Sequence, residues 1–295
     1  PLLPWPLFSG GQIRAYHLIK ALSQKHEVTL LSYIRSDEEQ QYLPQIKKIC
    51  QKVNLIKRQY KPWSMKTLIK TLFSAKPLVM NLYDSSQGII EKPEQYDLIY
   101  CECFYLMHRI PSCPTPIFFS EQNIEYLAYQ RYLDNLPFFK KIILWLPMKW
   151  DLLKMKFWEK KMWQRAKKII VMSQNDQAII QKQTGKKEIA IVPNGVNNNY
   201  FSFRKEMTSE KIILFVGSFA WFQNVQAVKW LVKDIFPLIK KIIVNAKLLI
   251  VGRNVPSWLK KTRELGVSFD ESVEDIREAY KKASVFIAPL KSGSG

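Results

Sequence analysis

The chain has 295 residues, 47% of them hydrophobic and 24% charged, and it carries a formal net charge of +20. This length exceeds one typical domain, and the composition excludes a disordered or fibrous chain, so we expect two globular domains. The positive charge indicates an anionic partner: nucleic acid, an acidic membrane face or phosphorylated substrates. No apolar run reaches the ~20 residues that span a bilayer and no signal peptide is evident, so we expect any membrane contact to be lateral.

The first half of the chain alternates predicted strands and helices. Gly10 and Gly11 precede a helix predicted over residues 12–25, and Ser173 is the predicted N-cap of a helix that ends at Gly185. Continuous β-branched runs predict strands at residues 28–34, 53–57, 97–102, 116–120, 167–173 and 188–192. This alternation predicts α/β architecture with parallel strands joined by right-handed crossovers.

Residues 138–168 form a basic, aromatic-rich stretch with helical character. Lysine and arginine alternate with Trp, Phe, Leu and Met, and only Asp151 and Glu159 oppose the positive charge. One interpretation is packed helices with buried aromatics and solvated lysines. The other is a face that rests on an anionic membrane surface, which would make the protein peripheral to the inner face of the cell membrane.

The stretch IVPNGVNNNYF, residues 191–201, interrupts the α/β pattern. Pro193 removes a backbone donor and Gly195 permits positive φ, so the preceding strand cannot continue. Strands are predicted again around KIILFVGS, AKLLIVG, GVSF and SVFIAPL, with helices at residues 224–241, near Pro256 and at 272–282. We therefore predict two domains, residues 1–195 and 196–295.

Glycine follows several predicted strands at the edge where open α/β sheets bind ligands. These positions are Gly217 with Ser218, Gly252 with Arg253, and Gly293 with Gly295. Arg253 and Lys291 are candidate cations for a diphosphate, and the amides of residues 292–295 are candidate phosphate donors. A simpler interpretation is that Arg253 caps carbonyls or faces solvent, and that Gly10 and Gly11 form an ordinary turn.

The four cysteines show no disulfide framework and complete no metal site. Cys50, Cys101, Cys103 and Cys113 are irregularly spaced, which indicates reduced thiols in a cytosolic compartment. Zinc would require about four convergent ligands, and no Cys or His pair supplies them. We expect no metal and no other cofactor.

The segments from LFVGSFAWFQN to APLKSGSG, together with the break at 191–201 and the N-terminal PLLPWPLFSGGQIRAYHLIKAL, resemble the retaining glycosyltransferases of family 4, also called glycosyl transferases group 1. The resemblance covers essentially the whole chain. It implies the GT-B fold: two Rossmann-like domains whose parallel sheets face a cleft. The nucleotide-sugar donor is then bound by the C-terminal domain and the acceptor mainly by the N-terminal one, with the asparagine-rich segment as hinge.

The resemblance also implies site residues. The donor set is Gly217, Ser218, Gly252, Arg253, Ser272, Val273, Lys291, Gly293, Ser294 and Gly295. The loop at the reaction centre or acceptor consists of Gly10, Gly11, Arg14 and Gln122. Gln122 occupies a position that is often histidine in the family, and a glutamine cannot act as a general base. No catalytic residue is assigned.

Two further departures from the family pattern affect this assignment. The sequence stops before the family's Glu-x7-Glu helix, so the C-terminal domain is expected to be incomplete and the chain cut at both ends. The usual lysine after the first donor-domain strand is absent, with WFQN in its place. The donor-binding acids therefore stay unidentified, and phosphate charge must be neutralised by other cations.

The resulting hypothesis is transfer of a sugar, with retention, from a nucleotide diphosphate sugar to a saccharide or lipid-linked acceptor of the cell envelope or an exopolysaccharide. Two alternatives are left open: a non-catalytic fragment that binds a nucleotide, and a basic nucleic-acid-binding protein. The second lacks helix-turn-helix, RRM, KH and zinc-finger patterns, so no nucleic acid partner is expected.

Overall fold

The computed structural model describes residues 2–58, 60, 64–84, 90, 92–136, 138–185, 188–201, 210–262 and 266–290. The chain forms two compact units, Pro1–Asn194 and Gly195–Gly293. Each unit has its own hydrophobic core. The assignment of the acceptor to the first and the donor to the second stays a prediction.

All strand pairs in the described residues are parallel. The described strands are β1 (Thr29–Ile34), β2 (Lys52–Lys57), β3 (Ile99–Cys101), β4 (Ile117–Glu121), β5 (Lys168–Val171), β6 (Ile189–Ile191), β7 (Ile212–Val216), β8 (Lys247–Val251), β9 (Val267–Asp270) and β10 (Val285–Phe286). The predicted parallel α/β architecture is confirmed, because helices supply the crossovers between these strands.

The helices alternate with these strands along the chain. They are α1 (Gly10–Leu22), α2 (Leu43–Lys47), α3 (Met65–Phe73), α4 (Leu78–Asn81), α5 (Phe104–Met107), α6 (Glu125–Asp134), α7 (Phe138–Arg165), α8 (Gln174–Thr184), α9 (Phe222–Trp230), α10 (Phe236–Ile242), α11 (Ser257–Lys260) and α12 (Ile276–Lys282). No described helix combines the length and the hydropathy needed to cross a membrane.

The first unit contains a two-stranded sheet, β1-β2, and a four-stranded sheet in the order β3-β4-β5-β6. The main core lies where α5, α6 and α7 pack on the four-stranded sheet, with Phe104, Phe119 and Trp163 fully buried. Arg165, the last residue of α7, donates to the carbonyls of Met107, Ile110 and Pro111, each at 2.7 Å. These bonds tie the long helix to the loop after α5, because one guanidinium satisfies three carbonyls at once.

The second unit is built on one sheet in the order β10-β7-β8-β9. Its helices α9 and α10 are joined by a π-helical turn, Leu231–Ile235, and this helical layer buries Val228, Leu231 and Phe236. The helix predicted at 224–241 is therefore confirmed, with its start earlier at Phe222. Leu248 and Ile250, on β8, belong to the same core and are completely buried.

Helix ends follow local capping chemistry, and several predicted boundaries were wrong. The Ser173 hydroxyl accepts from the Asp176 amide at 3.1 Å, and Gly185 ends the helix at φ 68°, both as predicted. The first helix runs from Gly10 to Leu22 rather than over 12–25, because Ser9 already caps it. The helix predicted at 272–282 begins only at Ile276, because Asp275 is its N-cap.

Candidate functional site

In the second unit, three neighbouring strands end at the same level. Val216 of β7 is the register partner of Val251 of β8, and Val251 is the partner of Asp270 of β9. The residues that follow these strands therefore line one edge of the sheet. Since the carboxyl edge of a parallel sheet is where α/β proteins bind ligands, this edge is the candidate donor site.

Two glycines at this edge bring their backbones into contact. Gly252 has φ +155°, and a Cβ atom built there would lie 1.8 Å from the carbonyl oxygen of Gly217. The Asn224 side chain lies 2.9 Å from the corresponding position at Gly217, and it donates to the Ser218 carbonyl at 2.8 Å. No larger residue fits at 252 without displacing the adjacent turn. The two glycines are thus required by the close packing of the turns at this edge.

The other predicted donor residues lie beside these glycines. The Arg253 carbonyl accepts from the Phe219 amide at 2.9 Å, which links the turns after β7 and β8. The Ser272 amide donates to the Asp270 carboxylate at 2.8 Å, and Val273 packs against the small apolar cluster around Ala279. Lys291, Gly293, Ser294 and Gly295 lie outside the described residues. Within its described part, the second unit therefore brings six of the predicted donor residues to one edge.

The end of the asparagine-rich segment is fixed on the second unit. The Tyr200 hydroxyl donates to Asp275 Oδ1 at 3.3 Å, and the Arg277 guanidinium lies 4.2 Å from the centre of the Tyr200 ring. The Phe201 ring meets that of Tyr280 edge-on, with centroids 6.1 Å apart. Hydrogen bonding by Arg277 lowers the pKa of Asp275. The aromatic pair that ends this segment is therefore an anchor for α12.

In the first unit, polar side chains line one face of the sheet at the carboxyl ends of β3 and β4. Tyr100 and Glu102 are two residues apart, as are Ser120 and Gln122, so each pair points to the same face. Tyr100 is the register partner of Phe118, so Ser120 lies two residues further along β4 on the same face, where it interacts with Tyr100 without the geometry of a hydrogen bond. We call Tyr100, Glu102, Ser120 and Gln122 the polar face.

Helix α1 brings two of the predicted residues to the polar face. A Cβ at Gly11 would lie 3.4 Å from Gln122 Oε1, so this glycine lets the helix approach the glutamine. The Arg14 guanidinium acts electrostatically on both Glu102 and Tyr100. Gly10, one residue before Gly11, has open space around its Cβ position. The predicted loop of Gly10, Gly11, Arg14 and Gln122 is thus one cluster in the structure.

Arg14 also holds the end of the first unit. Its terminal nitrogens donate to the carbonyls of Val192 at 2.9 Å and Pro193 at 3.2 Å, and to Asn194 Oδ1 at 3.0 Å. This one guanidinium therefore fixes the start of the Pro-Asn-Gly break on α1. The residues between Asn194 and the Tyr200 anchor connect the two units.

The polar face contains buried atoms without hydrogen-bond partners. Within the described residues, Tyr100 Oη, Glu102 Oε1 and Ser120 Oγ have none, and Ser120 is completely buried. Burial raises the pKa of Tyr100 to about 12, and it also raises the pKa of Glu102, against which Arg14 acts. Since native proteins pair nearly all buried polar groups, these oxygens are positions that a water molecule or a polar ligand can complete.

The opposite face of the same sheet carries a buried acidic cluster. Glu121 Oε2 accepts from Trp163 Nε1 at 2.5 Å, while Glu159 accepts the backbone amides of Glu125 at 2.7 Å and Tyr126 at 2.9 Å. Glu121 and Glu159 are both buried. Burial, reinforced by the charge of Glu159, raises the pKa of Glu121 well above 4.5, and burial raises that of Glu125 to about 7. This cluster fixes the start of α6 from α7.

Two other features do not point to a site. A surface depression lined by His26, Glu27, Lys47 and Lys48 lies at the amino ends of β1 and β2, away from the edge where ligands bind. Among the described residues, no three His, Cys, Asp or Glu side chains are grouped to hold a metal ion. The expectation that no metal or cofactor is used stays a prediction.

Two family models match this chain in succession. The model described as Glycosyltransferase Family 4 matches residues 8–200, and the one described as Glycosyl transferases group 1 matches residues 210–295. The chain belongs to glycosyltransferase family 4. The first match covers the polar face and α1, and the second covers the glycine turns after β7 and β8 of this family 4 protein. No curated protein matches the sequence.

Solved structures were also compared with this family 4 protein. Os79 from O. sativa, in complex with U2F and trichothecene, has a TM-score of 0.52 at 11% identity, over 97% of this chain and 75% of that chain. TarM has a TM-score of 0.46 at 11% identity, and the match covers 64% of this chain and 35% of TarM. MurG from Acinetobacter baumannii has a TM-score of 0.39 at 13% identity, over 93% of this chain and 68% of that chain. This chain therefore spans about a third of the length of TarM, and the Os79 likeness confirms the GT-B class predicted from sequence.

Three residues of the polar face are absent from the set predicted by sequence. The strand pattern indicates only that Tyr100, Glu102 and Ser120 lie in or next to strands. The available signal was Glu102, an acidic residue directly after an apolar strand, at the edge where α/β sheets bind ligands. Its spacing from Tyr100 already placed the two side chains on one face.

Proposed function

We propose that this family 4 protein transfers a sugar from a nucleotide diphosphate sugar to a cell-envelope or exopolysaccharide acceptor, with retention at the anomeric carbon. The observation that carries the proposal is the contact between the Gly217 and Gly252 turns at one sheet edge. Breaking the bond between the sugar and the phosphate leaves a nucleoside diphosphate and an oxocarbenium-like sugar. Main-chain amides and cations placed around the leaving phosphates stabilise that charge.

The Os79 structures support the donor class. Os79 is described in complex with UDP and, in another crystal, with UDP and deoxynivalenol-3-glucoside. For this chain, a uridine diphosphate sugar is therefore the first donor to test. Family membership supports the transfer reaction, and the acceptor and the retention are parts of the proposal.

The test is release of nucleoside diphosphate by the whole protein from a panel of common sugar nucleotides, with and without saccharide acceptors. We expect release with at least one donor, stimulated by an acceptor. Proton NMR of the product during turnover then reports whether the new linkage has the donor's anomeric configuration. Absence of release from every donor contradicts the proposal, and an inverted product contradicts only its retaining part.

We further propose that the protein binds an anionic membrane surface. The binding surface consists of residues 138–168 together with α3. Helix α3 is inverted: Thr67 and Thr71 are buried, whereas Met65, Ile69, Leu72 and Phe73 are exposed, Phe73 by 84%. An amphipathic helix in a water-soluble unit normally buries its apolar side. Its outward apolar face therefore suits a hydrophobic partner.

Helix α7 continues this apolar surface. Exposed apolar residues recur at helical spacing along its length: Phe138, Ile142, Leu146, Trp150, Leu153 and Phe157. The two helices are joined by Lys154, whose ammonium donates to the Thr71 carbonyl at 2.7 Å, and by Trp158, whose indole donates to the Ala75 carbonyl at 2.8 Å. Exposed lysines such as Lys66 and Lys156 lie on the same two helices, which supports an anionic lipid partner.

We expect Phe73→Gln to weaken binding to vesicles that contain phosphatidylglycerol by about tenfold, because inserting one large apolar side chain contributes about 1.5–3 kcal/mol. Ile242→Gln is the matched control, since Ile242 is 85% exposed on the second unit, away from α3 and α7 in the sequence. Co-sedimentation measures both. Equal binding of the wild-type protein to neutral and anionic vesicles would refute the electrostatic part.

A further inference from the structure

We propose that Glu102 and its neighbours on the polar face bind an uncharged, polyhydroxylated part of the acceptor, with Glu102 as a specificity-determining residue for neutral over anionic sugars. This role rests on the proposed function. It adds a chemical class of acceptor and a residue outside the set predicted from sequence.

The polar face supplies unsatisfied polar atoms of both kinds. Glu102 Oε1 is a pure hydrogen-bond acceptor, while Tyr100 Oη and Ser120 Oγ can each donate and accept, and none has a partner among the described residues. Glu102, Tyr100 and Gln122 are only partly buried as whole residues, while the three unpaired oxygens themselves are shielded from solvent, so a ligand reaches them only when these side chains move apart. Neighbouring sugar hydroxyls offer the same mixture of donors and acceptors.

The charge around Glu102 favours a neutral ligand. Arg14 is a cation that acts electrostatically on Glu102, but its two terminal nitrogens already donate to Val192, Pro193 and Asn194. Of the Arg14 nitrogens, Nε is the one left without a partner among the described residues. An anionic group placed here would therefore meet the Glu102 carboxylate and could gain at most two N–H donors from Arg14, one on Nε and one on a terminal nitrogen. A neutral hydroxyl instead donates to the carboxylate, which makes a charge-assisted hydrogen bond.

The position of the polar face suits an acceptor site. It lies at the carboxyl ends of β3 and β4, beside the start of α1, where Gly11 lets the helix approach Gln122. Glu121 points to the other side of the sheet, where its carboxyl group accepts a hydrogen bond from Trp163, so it does not contact the same ligand. Glu102 is thus the carboxylate that the four residues of the polar face present to a ligand.

The test compares matched acceptors with the whole protein and its active donor. The probes are p-nitrophenyl glucoside and galactoside, each paired with the corresponding uronide, which replaces one hydroxymethyl group by a carboxylate. We expect the neutral member of a pair to be used at least about tenfold better. Glu102→Gln should raise KM for the neutral acceptor about tenfold to a hundredfold, because a charged hydrogen-bond acceptor is lost. The same substitution should also reduce the ratio of kcat/KM for the neutral glycoside to kcat/KM for its uronide.

Two readouts separate this role of Glu102 from the proposed function. Calorimetric binding of nucleoside diphosphate should keep its Kd within about twofold in Glu102→Gln, since the proposed function assigns the nucleotide to the second unit, and an unchanged urea unfolding midpoint excludes a general folding defect. Glu27→Gln, which alters an exposed carboxylate at the amino edge, is the control and should change neither KM nor release. Two results would overturn the proposed role of Glu102. The first is a wild-type protein that releases nucleoside diphosphate but uses the neutral glycoside and its uronide equally, or uses neither. The second is a Glu102→Gln protein whose KM for the neutral acceptor is unchanged. Loss of release in the wild type contradicts the proposed function itself.

Discussion

Gly252→Ala is expected to destabilise the second unit by about 3 kcal/mol or more and to abolish tight binding of the nucleotide donor. The added Cβ would lie 1.8 Å from the Gly217 carbonyl, a separation that no pair of non-bonded atoms tolerates. The backbone at φ +155° also disfavours any side chain. Relief requires the turns after β7 and β8 to move apart, and these turns form the proposed phosphate edge.

Urea unfolding monitored by circular dichroism measures the stability change, and hydrogen exchange of the β7 and β8 amides locates it. Calorimetric titration with nucleoside diphosphate should show Kd raised at least about tenfold. Gly195→Ala is the matched control, because nothing lies within 4 Å of its Cβ position. A Gly252→Ala protein with wild-type stability and nucleotide affinity would show that the contact between the turns is not required.

Glu159→Gln and Glu121→Gln are expected to change stability in opposite directions at pH 8. Both oxygens of Glu159 accept backbone amides at the start of α6, and an amide side chain can replace only one of them. Its NH₂ group would face a backbone N–H, so we expect a loss of about 2–4 kcal/mol from the free energy of unfolding. Glu121→Gln keeps an oxygen for the Trp163 indole and removes an acid whose pKa burial raises.

The sign of the pH dependence follows from the raised pKa of Glu121. Above pH 4.5, the ordinary pKa of a glutamate carboxyl, the unfolded chain releases the Glu121 proton, whereas the folded protein still retains it. That contribution to stability is fully present below pH 4.5 and is lost as the pH rises toward the folded pKa. We therefore expect Glu121→Gln to be more stable than wild type at pH 8.

The difference between Glu121→Gln and wild type should shrink as the pH falls to 4.5, and urea midpoints at pH 4.5, 6 and 8 measure it. A constant difference across this range would mean that Glu121 is ionised in the folded protein. Equal destabilisation by both substitutions would mean that the two carboxyls have the same role, contrary to their different hydrogen-bond partners.

Much of the architecture was readable because short-range patterns dictate it. Continuous β-branched runs such as IIVM and LLIV are too short and too uniformly apolar for amphipathic helices, and their alternation with helices leaves parallel strands as the simple solution. The Ser173 cap and the Gly185 termination depend on residues a few positions apart. Helix starts at Gly10 and Ile276 were missed because Ser9 and Asp275 decide them through hydrogen bonds to nearby amides, and several residues in each segment have capping side chains.

By itself, the sequence determined that the chain alternates strands and helices, breaks after Pro193, places glycine at strand ends, and has the motif order of glycosyltransferase family 4. Those properties are local or linear, so neighbouring residues suffice to specify them. Only the tertiary structure decided that Gly217 and Gly252 touch, that Arg14 holds residues 192–194, and that Ser120 shares the face of Tyr100 and Glu102. The pairing of strands far apart in the chain decides these contacts. The tertiary structure also decided that the apolar face of α3 is exposed, because the burial of a side chain depends on which neighbours the fold places beside it.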